Sequence, residues 1–377
     1  MHASTNTRCN AQWKKNSCQR LALDAAFTAQ TCALWKRNRR TAPDHMSTVN
    51  RLMLPFDEGT IALPESGQII VLRAKTEGYG DFPKDRLSCV QGFYPTFQFL
   101  QTSGYQTTTE IPDTAAMAIV HLTKAKDENR ALLARAYDAL EEGGTLVVDG
   151  AKTEGVESLM KAAKKLHTVE GQLSKAHGKV FWLTKTTQDN PFSDWASALS
   201  PSPNKDGYMT AAGVFSAEGI DQGSAELAPV IAGKLKGRVA DLGAGWGWLA
   251  QQALESNPAI ESLDLIEAEH LALHCAELNL NDPRARFVWG DAREVTAKRS
   301  YDAVISNPPF HTGRKAEPAL GRAFIAAARD MLKPAGHLYL VANRQLAYEA
   351  TLNECFGRVD VVNQSSRYKI IHARKPK

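Results

Sequence analysis

Paired cysteines, long apolar runs and a consistent sign of charge are all scarce in this chain. Six cysteines in 377 residues include no Cys-x-x-Cys pair and no Cys/His ligand spacing. Cys9, Cys18 and Cys32 lie near the N-terminus, while Cys89, Cys275 and Cys355 are far apart. A disulfide framework is therefore not expected, and neither is zinc or another metal. No uninterrupted apolar stretch is long enough to cross a bilayer, so a soluble protein without a membrane partner is expected. Hydrophobic residues at 43% and charged residues at 23% fit ordinary globular usage. The formal charge of +4 comes from residues 1 to 45, which hold eight Lys/Arg against two Asp. The remainder is nearly neutral, with 37 basic and 39 acidic residues, so any contact with nucleic acid has to rest on local patches.

What is present is a long chain with α/β texture. Its length exceeds the size at which one core keeps growing, which predicts two domains. Residues 1 to 45 read as a disordered basic extension. Two alternatives stay open there: a start codon placed too early, with Met46 the first residue, or an Arg-rich transit peptide. From 46 to 185, short β-rich runs such as Gln68-Ile-Ile-Val-Leu and Ala116-Met-Ala-Ile-Val alternate with a helix near 127 to 141. Residues 186 to 207 are rich in Pro, Ser, Asn and Asp and read as a linker. From 208 to 377 the alternation is clearer: strands at 238–242, 262–266, 286–289, 301–306 and 337–341, with helices at 248–256, 271–279 and 321–332. Such a series predicts a mostly parallel, doubly wound sheet with a ligand at the carboxyl ends of its strands. Leu140-Glu-Glu-Gly-Gly-Thr-Leu-Val-Val echoes Leu332-Lys-Pro-Ala-Gly-His-Leu-Tyr-Leu, and Lys179-Val-Phe-Trp echoes Lys369-Ile-Ile-His. The two halves read as a duplication.

Asp241-Leu-Gly243-Ala-Gly245-Trp-Gly247 follows a strand and opens a helix. Glycines permit a tight turn and close approach of a ligand to the backbone at a helix N-terminus. No Lys-Ser/Thr follows, and Trp248 stands where a dinucleotide fingerprint has its third glycine. The loop suits a ligand without pyrophosphate. Glu267, ending the second strand, is placed to accept from ribose hydroxyls, and Asp291, after the third, from an adenine amino group.

The segment Ile305-Ser-Asn307-Pro308-Pro309-Phe310 runs a strand into a stiffened loop. An exocyclic amine on a base is a poor nucleophile because its lone pair is delocalised into the ring. Acceptance of its N–H groups by the Asn307 side-chain oxygen and the Pro308 carbonyl localises that pair. Phe310 supplies a face for base stacking. Asn307, beside the glycine loop, counts with both the catalytic and the cofactor-binding residues. His311 reads as a packing residue in preference to a proton relay. Arg314, Lys315, Arg367 and Lys369 read equally well as phosphate contacts or as solvated charges.

Residues 208 to 377 resemble the bacterial ribosomal RNA small-subunit (16S) guanine-N2 methyltransferases. The resemblance lies in Gly213-Val-Phe-Ser-Ala-Glu-Gly-Ile-Asp221-Gln-Gly-Ser224, the glycine loop, Ile305-Ser-Asn-Pro-Pro-Phe-His-Thr-Gly313 and Leu340-Val-Ala-Asn343. It implies two tandem Rossmann-like class I methyltransferase domains, the N-terminal one degenerate. It also implies S-adenosylmethionine as cofactor, ribosomal RNA or the small ribosomal subunit as partner, and a cytoplasmic enzyme that methylates guanine N2. Other amine acceptors stay open: a guanine of 23S rRNA, a DNA adenine, a protein glutamine. So does a non-enzymatic assembly factor that binds S-adenosylmethionine. Neither the nucleotide nor the oligomeric state is specified. The first half has Leu122-Thr-Lys-Ala-Lys-Asp in place of the Asn-Pro-Pro-Phe motif and lacks the glycine loop. It is expected to position RNA, with Lys124, Lys126, Arg130 and Arg135 as phosphate contacts, while residues 208–377 alone hold the cofactor.

Overall fold

The computed structural model describes residues 50–377 apart from 81, 295–296 and 310–317. The basic extension, Met46, Phe310, His311, Arg314 and Lys315 lie outside the described residues.

The N-terminal half holds seven strands: β1 (Ile69–Leu72), β2 (Leu87–Val90), β3 (Gln106–Thr108), β4 (Ala115–His121), β5 (Leu140–Ala151), β6 (Gly171–Lys175) and β7 (Gly178–Thr184). Their order is β3-β2-β1-β4-β5-β7-β6, parallel except at β5-β7-β6. Helices α1 (Tyr94–Thr102), α2 (Lys126–Ala139) and α3 (Val156–Ala163) flank the sheet. Strands such as Ile69-Ile-Val-Leu are apolar throughout because both faces are covered. Ile70 and Leu72 pack with Leu133 and Tyr137 of α2, while Ile69 and Val71 pack with Leu52 and Leu100 on the opposite face.

The C-terminal half repeats this plan. Its strands are β8 (Gly237–Leu242), β9 (Ile260–Glu267), β10 (Ala285–Trp289), β11 (Tyr301–Ser306), β12 (Leu332–Asn343), β13 (Phe356–Gln364) and β14 (Tyr368–Pro376). The order β10-β9-β8-β11-β12-β14-β13 is the N-terminal order over again. Its helices are α4 (Gln222–Ile231), α5 (Trp248–Ser256), α6 (His270–Asn279), α7 (Pro318–Met331) and α8 (Glu349–Cys355). Even the register irregularity recurs: Ala115 pairs with Leu140 and Tyr301 with Leu332 before each ladder shifts. The Gly143-Gly144 and Ala335-Gly336 segments that echo in the sequence lie inside these shifts.

The segment 186–207, read from its composition as a linker, contains a 3-10 helix, Ser193–Leu199, that docks on α2. Phe192 is fully buried edge-on to Tyr137, and Asn190 donates to the Ala134 carbonyl at 3.0 Å. Two aromatic residues, Phe192 and Trp195, give it a burial that its Pro/Ser content hides.

Strand order reverses beside β8, so the carboxyl ends of β8 and β11 diverge and open a crevice. Leu242 pairs with Ser306, so Gly243 and Asn307 emerge side by side. In the N-terminal half Leu72 pairs with Val120, which puts Arg73 and His121 at the equivalent point.

Candidate active site

Three glycines shape the turn that leaves β8. Gly243, Gly245 and Gly247 have φ of 75°, 56° and 88°, a left-handed region that other residues reach only with strain. Their surroundings differ. A Cβ on Gly247 would sit 3.0 Å from the Ala276 Cβ, so this glycine serves the packing of α5 against α6, whereas a Cβ on Gly245 would meet nothing within 4 Å. Gly245 is the one that faces open space.

Asp241, on β8 just before the turn, is 1% exposed, and neither carboxylate oxygen finds a hydrogen-bond partner among the described residues. Burial, reinforced by the nearby charge of Glu267, pushes its carboxyl up to about 8. An orphaned buried acid calls for a cationic or N–H-bearing ligand. The α-ammonium of S-adenosylmethionine meets that need, so the residues present fit this cofactor.

Glu267 ends β9 with its carboxylate fixed: Oε2 accepts from the Gly245 N–H and Oε1 from the Glu269 N–H, both at 2.8 Å. Burial raises its pKa against the pull of these two amides. Asp291 follows β10 and is 6% exposed. Its Oδ1 accepts from the Arg293 N–H at 2.8 Å, and both its oxygens are gripped by the Arg293 guanidinium.

Asn307 leaves β11 beside the glycine turn, where Ser306 ties the two strand ends by donating to the Leu242 carbonyl at 2.7 Å. The Asn307 amide donates both hydrogens of Nδ2, to Asp221 Oδ2 at 2.7 Å and to Ser224 Oγ at 2.9 Å. A carboxylate only accepts, so this pair settles the amide orientation and turns Oδ1 outward as an acceptor. Asp221 also caps α4, accepting from the Ser224 N–H at 2.9 Å. Pro308 is buried and Pro309 exposed. Sequence reasoning assigned no role to Asp221 or Ser224. The signal was available: an acid three residues before Ser at the start of a helical stretch reads as an N-cap.

One cavity is lined by Asp241, Gly243, Gly245 and Asn307, together with Asp221, Ser224 and Phe215. Gly247, Glu267 and Asp291 do not line it. Phe215 is 62% exposed, and its carbonyl accepts from the buried Trp246 indole at 3.1 Å. Lys369, read as either a phosphate contact or a solvated charge, is instead buried in a pair with Glu349 and donates to the Leu346 carbonyl at 2.7 Å. Arg367 stays exposed and donates to Gln222.

A doubly wound sheet with a glycine turn, an orphaned acid and an oriented Asn-Pro-Pro segment at one crevice defines an S-adenosylmethionine-dependent methyltransferase of Rossmann-like fold. Residues 207–372 match the methyltransferase small domain and residues 93–198 its N-terminal counterpart. The ribosomal RNA small subunit methyltransferase C of Shewanella loihica is 32% identical over 275 residues, spanning 71% of this chain and 80% of that one. The Shewanella oneidensis protein of the same name is 33% identical over 261 residues, 67% and 75% of the two chains. The chain belongs to the ribosomal RNA small subunit methyltransferase C family. The T. thermophilus 16S rRNA N2 methyltransferase, solved in complex with AdoMet and guanosine, superposes with a TM-score of 0.70 over 88% of this chain and 94% of that one. At 21% identity that likeness is one of fold.

Proposed function

We propose that this chain transfers the methyl group of S-adenosylmethionine to the exocyclic N2 of a guanine in 16S ribosomal RNA. The carrying observation is Asn307, whose Nδ2 is held by Asp221 and Ser224 so that Oδ1 is left to accept from an amine. The substrate class is the one named for the relatives and for the T. thermophilus enzyme, whose complex contains guanosine.

Asp241, Gly243, Gly245 and Glu267 are the residues that would hold the cofactor. Bound there, S-adenosylmethionine supplies an electrophilic methyl. Asn307 Oδ1 and the Pro308 carbonyl accept from the two N2–H groups, which localises the amine lone pair and aims it. Orientation and this polarisation carry most of the rate gain, with no covalent intermediate on the protein. The nitrogen proton leaves to solvent after transfer. Phe215 offers an aromatic face at the cavity, the role expected of Phe310, which lies outside the described residues. Asp291, whose oxygens also accept from Arg293, keeps a lone pair to spare and is the acceptor for the adenine amino group. Residues 46–185 serve to position RNA, with the exposed Lys126 and Arg135 on α2 as phosphate contacts.

Tritium transfer from labelled cofactor to small ribosomal subunits, naked 16S rRNA, DNA and protein tests the reading. Label is expected in one of the ribosomal substrates. Label confined to DNA or protein, or none at all, would overturn it.

A further inference from the structure

We infer that Arg73, from the N-terminal half, is a positioning residue of the S-adenosylmethionine site, acting through Glu269 to hold Glu267. This rests on the assignment of Glu267 as the ribose acceptor made above.

The halves meet along the loop that follows Glu267, as well as at the Ala198–Ala212 backbone contact. Phe93 and Glu269 form an antiparallel bridge across the two sheets' loops. In it the Tyr94 N–H donates to the Ala268 carbonyl at 2.8 Å and the His270 N–H to the Gly92 carbonyl at 2.9 Å. The Trp289 indole donates to both of those carbonyls, at 2.9 and 3.2 Å, and is packed edge-on by Tyr94 and Phe97 of α1. The backbone between Glu267 and α6 is thus fixed by groups from the other half of the molecule.

The side chain of Glu269 is held as well. Arg73 donates from Nη1 to Glu269 Oε2 at 2.8 Å and from Nε to Glu128 Oε1 at 2.7 Å. Glu128 is buried and accepts from Thr123 Oγ1 at 2.6 Å. One guanidinium therefore bridges two carboxylates that would otherwise repel each other. The Glu269 N–H completes the relay by donating to Glu267 Oε1. Arg73 stands at the point of the N-terminal sheet where the C-terminal sheet has its glycine turn. The duplicated site has become a brace for the working one. Residues 208–377 alone lack both Arg73 and the Gly92–Tyr94 bridge, so their expected independent hold on the cofactor is weakened.

Titration calorimetry with S-adenosylmethionine on full-length variants tests this, beside melting temperatures without cofactor. Glu267→Ala is expected to lose affinity. Arg73→Met and Glu269→Gln are expected to weaken binding by about 3- to 30-fold, the range for coupling carried through a contact network. Both raise the KM for cofactor and leave kcat at saturating cofactor within about twofold, which a general loss of folded enzyme would not do. Val148→Ala, in the N-terminal core and away from the loop, lowers the melting temperature with affinity unchanged. Glu269→Gln leaves the Arg73–Glu128 pair intact and carries the test should Arg73→Met not fold. Wild-type affinity in Glu269→Gln and in folded Arg73→Met, with Glu267→Ala impaired, overturns the inference alone, as does an equal loss in Val148→Ala. Unchanged affinity in Glu267→Ala removes the ribose assignment and the inference with it.

Discussion

At the scale of single residues, chemistry depends on which way one amide faces. Asn307→Ala removes the proposed transition-state acceptor and is expected to lower kcat by on the order of 10²–10³, with cofactor affinity barely changed. Asp221→Ala leaves the acceptor in place but frees the amide to rotate, so a smaller loss of roughly 10- to 100-fold in kcat is expected. Equal losses in the two variants would mean that Asp221 does more than orient. Asp241 makes a prediction in pH. Its carboxyl is raised from 3.8 to about 8, so in the cofactor-free protein the stability it contributes is full below pH 4 and is lost as pH rises through 8. Asp241→Asn should therefore melt higher than the parent at pH 8 and by less at pH 5. Cofactor affinity runs the opposite way, because the ammonium needs the ionised acid. It should rise between pH 6 and 8 by up to about tenfold per unit in the parent and stay low and flat in Asp241→Asn. A parallel pH dependence of affinity in both proteins would show that Asp241 is not the titrating partner.

At the scale of elements, the glycine turn separates packing from binding. Gly247→Ala forces a Cβ against Ala276 at a φ of 88°, and is expected to destabilise by about 1–3 kcal/mol in denaturant unfolding. Gly245→Ala meets no neighbour, so its stability loss is smaller and its main effect falls on cofactor affinity. The reverse ranking would mean that the ligand lies on the other side of the turn. Strands β8, β9 and β11 were legible in the sequence because both faces of a parallel sheet are buried and their apolar runs are continuous. The helix 248–256 was also legible, opened as it is by a glycine cap. Strand β3, Gln106-Thr-Thr, was not, since a short polar edge strand has no hydrophobic period. Helix α4 carries an N-cap signal at Asp221, but Gly223 and Pro229 within it obscure its helical run. Strand-end phasing singles out Asp291 just after β10, but it cannot reveal that Arg293, two residues on, closes over it.

At the scale of the whole molecule, two copies of one plan have taken unequal parts. The duplication was readable because the irregular Gly-containing start of β5 recurs in β12. What the sequence could not show is where the copies touch, since Arg73, Glu128 and Glu269 are ordinary charged residues until the fold brings them together. The C-terminal half carries the glycine turn, the orphaned acid and the oriented amide, and in the proposed function all of these serve methyl transfer to a base amine. The most direct measurement is nucleoside analysis of 16S rRNA after incubation with the full chain and labelled S-adenosylmethionine. Label in N2-methylguanosine is expected with the parent protein, and its near-complete loss with Asn307→Ala. Label in a methylated adenosine or cytidine, or undiminished N2-methylguanosine with Asn307→Ala, would contradict the proposed function.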